Sequence, residues 1–382
     1  MLFRTPELQV AEERVLLEIE DLKRRLRHQL HEPRRWAGSL RRLSFARAIQ
    51  GSNTIEGYVA SLDDAAAVAA GEDPLDAGAD TRRALQGYRD AMTYVLQLST
   101  EPDFSYDERL LKSLHFMISG YDLETRPGAY RVGPALVYNS EAGEVVYEGP
   151  DVDLAPALMR ELVDGLNGDI AVPAIVRAGM SHLNLVMIHP FRDGNGRMAR
   201  ALQSLVLARE GFLSPVFMSI EEHLGRNTQA YYDVLALVGG GSWNPGNDAR
   251  PWLRFTLAAH WLQARRVLRR ARESERLWDM LERIAEERRL PERSLPALLD
   301  AVVGLRLRNA TYRAIVEEVE SITDATASRD LAKLVDADAL EARGERRGRS
   351  YVRGPLLSAA WAEITDARDQ ADEPGPFADA PD

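Results

Sequence analysis

The sequence predicts a mainly α-helical protein with one small β-hairpin set among the helices and a helix-turn-helix unit near its C-terminus. Three observations predict it. Apolar residues recur at helical spacing through most of the chain. A single stretch, 130–148, is instead β-prone about a turn. Beyond Pro291, two short helical patterns joined by a polar turn are followed by a basic, glycine-bearing ribbon.

Taken in order, the first helix spans about Glu7 to Leu30, with Leu16, Ile19, Leu22 and Leu26 on one face. Helical patterns recur around 40–50, 80–97, 106–119, 154–166, 173–188, 196–209 and 227–238, the last stopped by Gly239-Gly240-Gly241. The hairpin is read from Ala135–Tyr138 and Val145–Tyr147, separated by the turn-forming Asn139-Ser-Glu-Ala-Gly143. An arginine-rich helix over 261–290 reads as a connector. The C-terminal unit follows, with helices at 311–319 and 324–335 and the ribbon Arg343–Val352, in the order of a winged helix. The acidic stretch 366–382, rich in Pro, Ala and Gly, is expected to be disordered.

Composition narrows the chemistry. With 382 residues, 45% hydrophobic and 28% charged, the chain has material for two or three domains with a sizeable core. The absence of cysteine excludes disulfides, thiolate metal sites and thiol nucleophiles. A net charge of -11 disfavours general attraction to nucleic acid or anionic lipid, though it leaves a local basic patch open. Positive charge is almost all arginine, the only lysines being Lys23, Lys112 and Lys333, so a phosphate site here would use guanidinium groups. No signal peptide or membrane-spanning run is visible, and a cytoplasmic location without a membrane partner is expected.

The most informative stretch is His189-Pro-Phe-Arg-Asp-Gly-Asn-Gly-Arg-Met-Ala-Arg200. The preceding helix carries Ile175, Ala178, His182, Val186 and His189 on one stripe, and Pro190 forbids its easy continuation. A glycine-bearing loop then leads into the N-terminus of a second helix, where unpaired amides and the positive dipole end form an anion site. Arg197 and Arg200 share a face opposite Met198, Leu202 and Leu205 and suit a polyphosphate. Asp193 supplies the hard oxygen that Mg²⁺ prefers, and His189 suits general-base work near neutral pH. His182 reads as a core histidine.

These residues resemble the Fic family motif at every defining position: His, any, Phe, any, acidic, Gly, Asn, Gly, Arg, two spacers, Arg. Tyr106–Ser119 with His115, Gly128-Ala-Tyr-Arg131 and Asn227–Tyr232 extend the resemblance over roughly 106–258. It implies a Fic helical core with a hairpin flap, binding ATP as substrate with Mg²⁺, and adenylylating a protein hydroxyl. His189 would be the base, Asp193 the metal ligand, and Phe191 the loop's anchor in the core. Gly194, Asn195, Gly196, Arg197 and Arg200 would hold the phosphates. Asn227, Tyr231 and Tyr232 resemble the adenine-side wall, although the tyrosines serve equally as core aromatics. The 133–148 flap would hold a target protein by strand addition. Relatives that phosphorylate carry a lysine where this chain has Gly196, which favours AMP transfer. A homodimer is a further expectation from the resemblance.

Upstream, Ser52-Asn-Thr-Ile-Glu-Gly57 resembles the family's inhibitory pattern of Ser/Thr, three spacers, Glu and Gly/Asn. It implies that Glu56 pairs with Arg200 and blocks the γ-phosphate position, with Ser52 and Gly57 completing the motif. In some relatives the same glutamate also supports AMP removal. The expected organisation is an N-terminal inhibitory region over 1–105, a catalytic domain over 106–258, a connector over 259–290 and a winged helix over 291–356. In the last, Arg329, Lys333, Arg343, Arg346, Arg347 and Arg349 would contact either DNA phosphates or a protein. The alternative reading of the whole chain is a winged-helix DNA-binding regulator with a nucleotide-sensing domain.

Overall fold

Helical periodicity becomes fifteen α-helices in the computed structural model, with two antiparallel two-stranded hairpins, among the described residues. Those residues are 1–31, 34–138, 143–168, 171–214, 217–317, 320–345, 349–366 and 375–378. The helices are α1 (Val10–Gln29), α2 (Ala37–Ile55), α3 (Leu62–Ala69), α4 (Ala79–Leu98), α5 (Glu108–Ser119), α6 (Ala155–Gly168), α7 (Ala174–Ile188) and α8 (Asn195–Arg209). After them come α9 (Glu221–Arg226), α10 (Thr228–Gly239), α11 (Arg250–Arg288), α12 (Leu295–Val302), α13 (Asn309–Glu317), α14 (Asp324–Asp336) and α15 (Pro355–Asp366). Strands β1 (Leu136–Tyr138) and β2 (Val145–Glu148) form the flap, with Leu136 opposite Glu148. Strands β3 (Leu340–Arg343) and β4 (Ser350–Arg353) form the C-terminal ribbon, with Leu340 opposite Arg353.

Local chemistry sets several of these boundaries. Asp107 caps α5 by accepting from the Leu110 amide at 2.6 Å, and Thr323 caps α14 by accepting from the Thr326 amide at 3.2 Å. Pro251 sits in the first turn of α11, where its missing N–H costs nothing, and no breaker follows until Arg289 turns left-handed at φ 53°. A single 39-residue helix therefore runs through the expected start of the connector.

Two apolar cores result. The larger gathers Leu85, Met92, Leu111, Leu114, Met159, Ile175, Ile188, Phe191, Met198, Leu202 and Leu205. The second joins α11–α15 through Leu277, Leu281, Leu298, Val302, Leu307, Leu331 and Leu357. Helix α2 belongs to both, placing Ala37 and Leu40 in the second and Ala48, Ile49 and Ile55 in the first. It crosses α9 closely: a Cβ on Gly225 would lie 2.6 Å from the Gly51 Cα, so the crossing tolerates no side chain there.

The flap's turn at 139–142 and the ribbon residues Arg346 and Arg347 lie outside the described residues. Most of the acidic stretch 366–382 does too, but 375–378 are packed rather than disordered. Arg14 donates to the Pro376 carbonyl at 2.8 Å, and the Arg254 guanidinium lies 5.7 Å from the Phe377 ring centroid. One aromatic in an acidic tail gives that segment apolar surface to bury. No helix among the described residues is long and apolar enough to cross a membrane.

Candidate active site

The site forms where α7 ends and α8 begins. Pro190 stops α7, and His189 closes it in the left-handed region at φ 50°. The His189 Nδ1–H donates to the Val186 carbonyl at 3.1 Å, which fixes the tautomer and leaves the Nε2 lone pair free to accept a proton. Burial holds the imidazole's pKa below its usual value, outweighing the Val186 bond that favours protonation. The His189 imidazole is thus neutral at neutral pH.

The loop is braced from three sides. Arg131 donates from Nε to the His189 carbonyl (2.9 Å), from Nη1 to Gly133 (2.7 Å) and from Nη2 to Pro150 (2.5 Å), joining the flap's base to the loop. The Phe191 ring is buried and stacks on His115 with centroids 3.7 Å apart and planes 4° from parallel. His115 accepts from the Gly128 amide at Nδ1 and donates from Nε2 to the Asp193 carbonyl, both at 2.8 Å. Burial pushes its pKa down to about 4, so this bracket stays neutral.

Asn195 closes the loop from within. Its Oδ1 accepts from the Phe191 amide and its Nδ2 donates to the Phe191 carbonyl, each at 2.9 Å. The Asn195 side chain, expected among the phosphate ligands, is therefore spent on the loop; only its backbone amide faces the helix N-terminus. Gly194 holds φ 76°, and a Cβ there would overlap Ser119 Oγ, so glycine is needed for both reasons. The first intrahelical bond of α8 is Met198 N–H to the Gly194 carbonyl at 2.9 Å, which leaves the earlier amides without a carbonyl in the helix.

The two arginines are buried, each 1% exposed, where their spacing alone suggested only a face opposite the apolar one. Arg197 donates from Nη1 to the Tyr121 hydroxyl at 2.9 Å, and Tyr121 donates to Tyr58 at 3.1 Å. Its Nε has no hydrogen-bond partner among the described residues. Arg200 donates from Nε to Ser52 Oγ (2.8 Å) and from Nη2 to the Ser52 carbonyl (2.9 Å) and to Glu56 Oε1 (2.6 Å). Its Nη1 has no hydrogen-bond partner among the described residues. Burial disfavours the charge of Arg200, and the Glu56 carboxylate more than restores it, holding its pKa above the usual value.

Glu56 reaches this position because α2 ends there: it is the C-cap residue, and Gly57 turns the chain away at φ 84°. Its carboxylate sits directly over Gly196, where an added Cβ would overlap Oε1. One carboxylate oxygen thus covers the α8 N-terminus and occupies an arginine at once.

Asp193 presents a carboxylate whose side chain is 54% exposed and whose one ion pair among the described residues, with Arg197 Nη2, is a long 3.5 Å. Among the described residues no cluster of three or more acidic or histidine groups could hold an ion by itself. A lone carboxylate beside an anion site suits Mg²⁺, which keeps water and phosphate oxygens as its other ligands.

The expected adenine wall divides. Asn227 and Tyr232 are exposed, and the Tyr232 hydroxyl donates to the Ile55 carbonyl at 2.8 Å, next to Glu56. Tyr231 is instead packed in the core at 1% exposure, its hydroxyl donating to His182 Nε2 at 2.9 Å. Of its two readings, core aromatic describes its side chain. His182 in turn donates to Gln203 Oε1 at 2.6 Å, a satisfied core histidine. Tyr58 and Tyr121 carry no local signal: Tyr121 pairs with Tyr58 and Arg197, 63 and 76 residues away.

Residues 105–207 match the family model described as Fic/DOC family. Protein adenylyltransferase fic-1 of Caenorhabditis briggsae is 38% identical over 126 residues, covering 30% of this chain and 22% of that protein. Protein adenylyltransferase Fic of Drosophila willistoni is 28% identical over 251 residues, 65% of this chain and 46% of that protein. The chain spans less than half the length of either of these curated relatives. The crystal structure of a Fic family protein from Desulfovibrio desulfuricans G20 covers 92% of this chain and 98% of its own at a TM-score of 0.57 and 22% identity, a likeness of fold. A Fic-1 fragment from Caenorhabditis elegans gives a TM-score of 0.54 over 67% of this chain, also at 22% identity. Residues 105–207 are thus the stretch this chain shares with the Fic/DOC family, and through it the chain is a distant homologue of the protein adenylyltransferases named Fic.

Proposed function

We propose that this protein transfers AMP from ATP to a hydroxyl of a target protein, and that Glu56 inhibits the transfer. The observation carrying the proposal is the pair of buried guanidinium groups at the α8 N-terminus, with Arg197 Nε and Arg200 Nη1 lacking hydrogen-bond partners among the described residues. Buried donors of that kind call for acceptors, and phosphate oxygens supply them in a geometry that arginine matches. His189 Nε2 would take the proton of the attacking hydroxyl, whose oxygen bonds to the α-phosphorus as the bond to pyrophosphate breaks. The α8 amides and Arg197 would stabilise charge on the phosphates. Mg²⁺, held by Asp193, would neutralise the phosphate oxygens. Arg200 would grip the γ-phosphate once Glu56 leaves it.

The flap supports a protein substrate. Leu136, Tyr138, Val145 and Val146 are exposed, and β1 has no strand on its outer edge among the described residues. An extended target segment could add there and lie beside the loop that Arg131 ties to the flap.

The test is incubation with α-labelled and γ-labelled ATP in parallel, using intact protein and Glu56→Gly. Label should enter protein from the α-position alone, and more in the variant. Incorporation from the γ-position would make the enzyme a kinase, and none from either would refute the assignment.

A second reading concerns the C-terminal unit. Arg329, Lys333, Arg343 and Arg349 are exposed on α14 and about the ribbon, which supports contact with DNA phosphates. Affinity for duplex DNA falling steeply with salt would support that use, and salt-independent or absent binding would count against it.

A further inference from the structure

The inhibitory turn lies between two helices that the C-terminal unit holds. Upstream, α2 is gripped at its first turns. Arg42 donates to Asp300 Oδ2 of α12 from Nη2 (3.0 Å) and Nε (3.3 Å), and Ser39 Oγ donates to the Pro296 carbonyl at 3.4 Å. Downstream, α3 begins shortly after Glu56 and is gripped too. The Arg306 amide donates to Asp63 Oδ1 and its Nε to Asp63 Oδ2, both at 2.6 Å, while its Nη2 donates to Asp76 at 2.7 Å. Thr311 Oγ1 of α13 lies 2.7 and 2.8 Å from the two carboxylate oxygens of Glu72, and Arg308 donates to the Asp73 carbonyl at 2.8 Å.

Apolar packing follows the same path. Ala37 and Leu40 of α2 share a core with α11 and α12, so the C-terminal unit is continuous with the helix that ends in Glu56. The close Gly51–Gly225 contact fixes where α2 crosses α9, one residue before Ser52. Gln50 ties the far side of the turn back to α2 by donating to the Ala60 carbonyl at 2.9 Å. Glu56 is thus carried on a short turn whose flanking helices, α2 at its first turns and α3 at its start, are both held by one unit.

We infer that the C-terminal unit is part of the inhibitory device, with Arg306, Arg42 and Thr311 as positioning residues that hold Glu56 on Arg200. An agent that loosens this clasp raises AMP transfer without touching the catalytic loop. The exposed α14 residues Ser328, Arg329 and Lys333 take no part in the clasp and remain available to such an agent. The inference rests on the adenylyltransferase reading and on Glu56 as its brake.

The experiment compares full-length Arg306→Ala and Thr311→Val, each with Glu56 present and with Glu56→Gly, by transfer from α-labelled ATP. Hydrogen exchange of the 53–58 amides is followed in parallel. With Glu56 present, Arg306→Ala should raise transfer about fivefold, the scale of one partly buried ion-pair cluster. In the Glu56→Gly background the same change should have no effect. Exchange of the Glu56, Gly57 and Tyr58 amides, which bond to Asn53 and Thr54 carbonyls at 3.0–3.1 Å, should quicken. Simple destabilisation would lower transfer in both backgrounds and would overturn the inference, as would unchanged exchange across 53–58. If Glu56→Gly itself transfers no AMP, the enzyme reading fails instead, and the exchange result still decides whether the clasp holds the turn.

Discussion

Replacing Glu56 by glycine should tighten ATP binding, and the structure sets the scale. On the proposed reading, ATP would have to displace the Glu56 carboxylate from Arg200 Nη2, a charge-assisted bond of 2.6 Å to a fully buried guanidinium. Such bonds contribute about 1.5–3 kcal/mol net. At 1.4 kcal/mol per decade this is roughly a ten- to hundredfold change in Kd. Arg200 keeps its orientation in the variant, because its Nε and Nη2 remain bonded to Ser52 Oγ and the Ser52 carbonyl. The space over Gly196 is freed in the same step, since the carboxylate that a Cβ there would overlap is gone. Isothermal titration of the two proteins with ATP and Mg²⁺ reads the effect directly. Equal affinities would refute the idea that the carboxylate and the γ-phosphate compete for one arginine. Glu56→Gln is the finer control: it keeps the shape and loses the charge, and should fall between the two.

Other expectations follow from the same geometry. Asn195→Ala removes two hydrogen bonds and strands the buried Phe191 amide and carbonyl, at a cost of about 2–4 kcal/mol read by chemical denaturation; a loss under about 0.5 kcal/mol would show that the loop holds itself. The buried histidines predict a stability that falls with acid. His115 and His223 are pushed by burial to about 4, and His182 and His260 to about 3, against a usual 6.5. The unfolded chain therefore binds more protons as pH drops from 6.5 towards 4, so stability is full above 6.5 and is lost below it. The loss is on the order of 1 kcal/mol per histidine per pH unit, with Glu221, whose pKa burial raises, acting in the opposite sense. A Tm flat between pH 7 and 5 would contradict this. In Glu56→Gly, the acid limb of AMP transfer should lie below the pKa of a free imidazole, because burial depresses that of His189; a limb at or above 6.5 would mean another group is the base.

The part of the site carried by contiguous sequence was legible. Pro190 marked the end of α7, the glycines marked a loop, and the resulting helix N-terminus lies where the spacing placed it. What escaped depended on distant partners. Nothing near Arg197 and Arg200 reveals that they are buried, because the cover comes from α2, Tyr58 and Tyr121. Asn195 reads as a phosphate ligand from its position, yet its side chain folds back on Phe191, a choice set by the loop's own conformation. Tyr231 and Tyr232 are adjacent and alike in sequence, and only packing decides that one is core and the other exposed.

The fold shows the same division. Long amphipathic helices such as α4 and α7 lie within a residue or so of their periodic patterns. Short helices were missed: α3 and α12 have eight residues each and α9 six, too few turns for a period to declare itself. Their stability comes from tertiary contacts such as the Gly51–Gly225 crossing.

The claim on which the account turns is that one loop, run by His189 and shut by Glu56, moves AMP. Intact-protein mass spectrometry of Glu56→Gly and of Glu56→Gly/His189→Ala, each incubated with ATP and Mg²⁺, tests it most directly through self-modification. The single variant should gain the mass of AMP, and the double variant should bind ATP yet gain nothing. An AMP adduct that persists without His189 would contradict the account, as would a phosphate-sized one in its place.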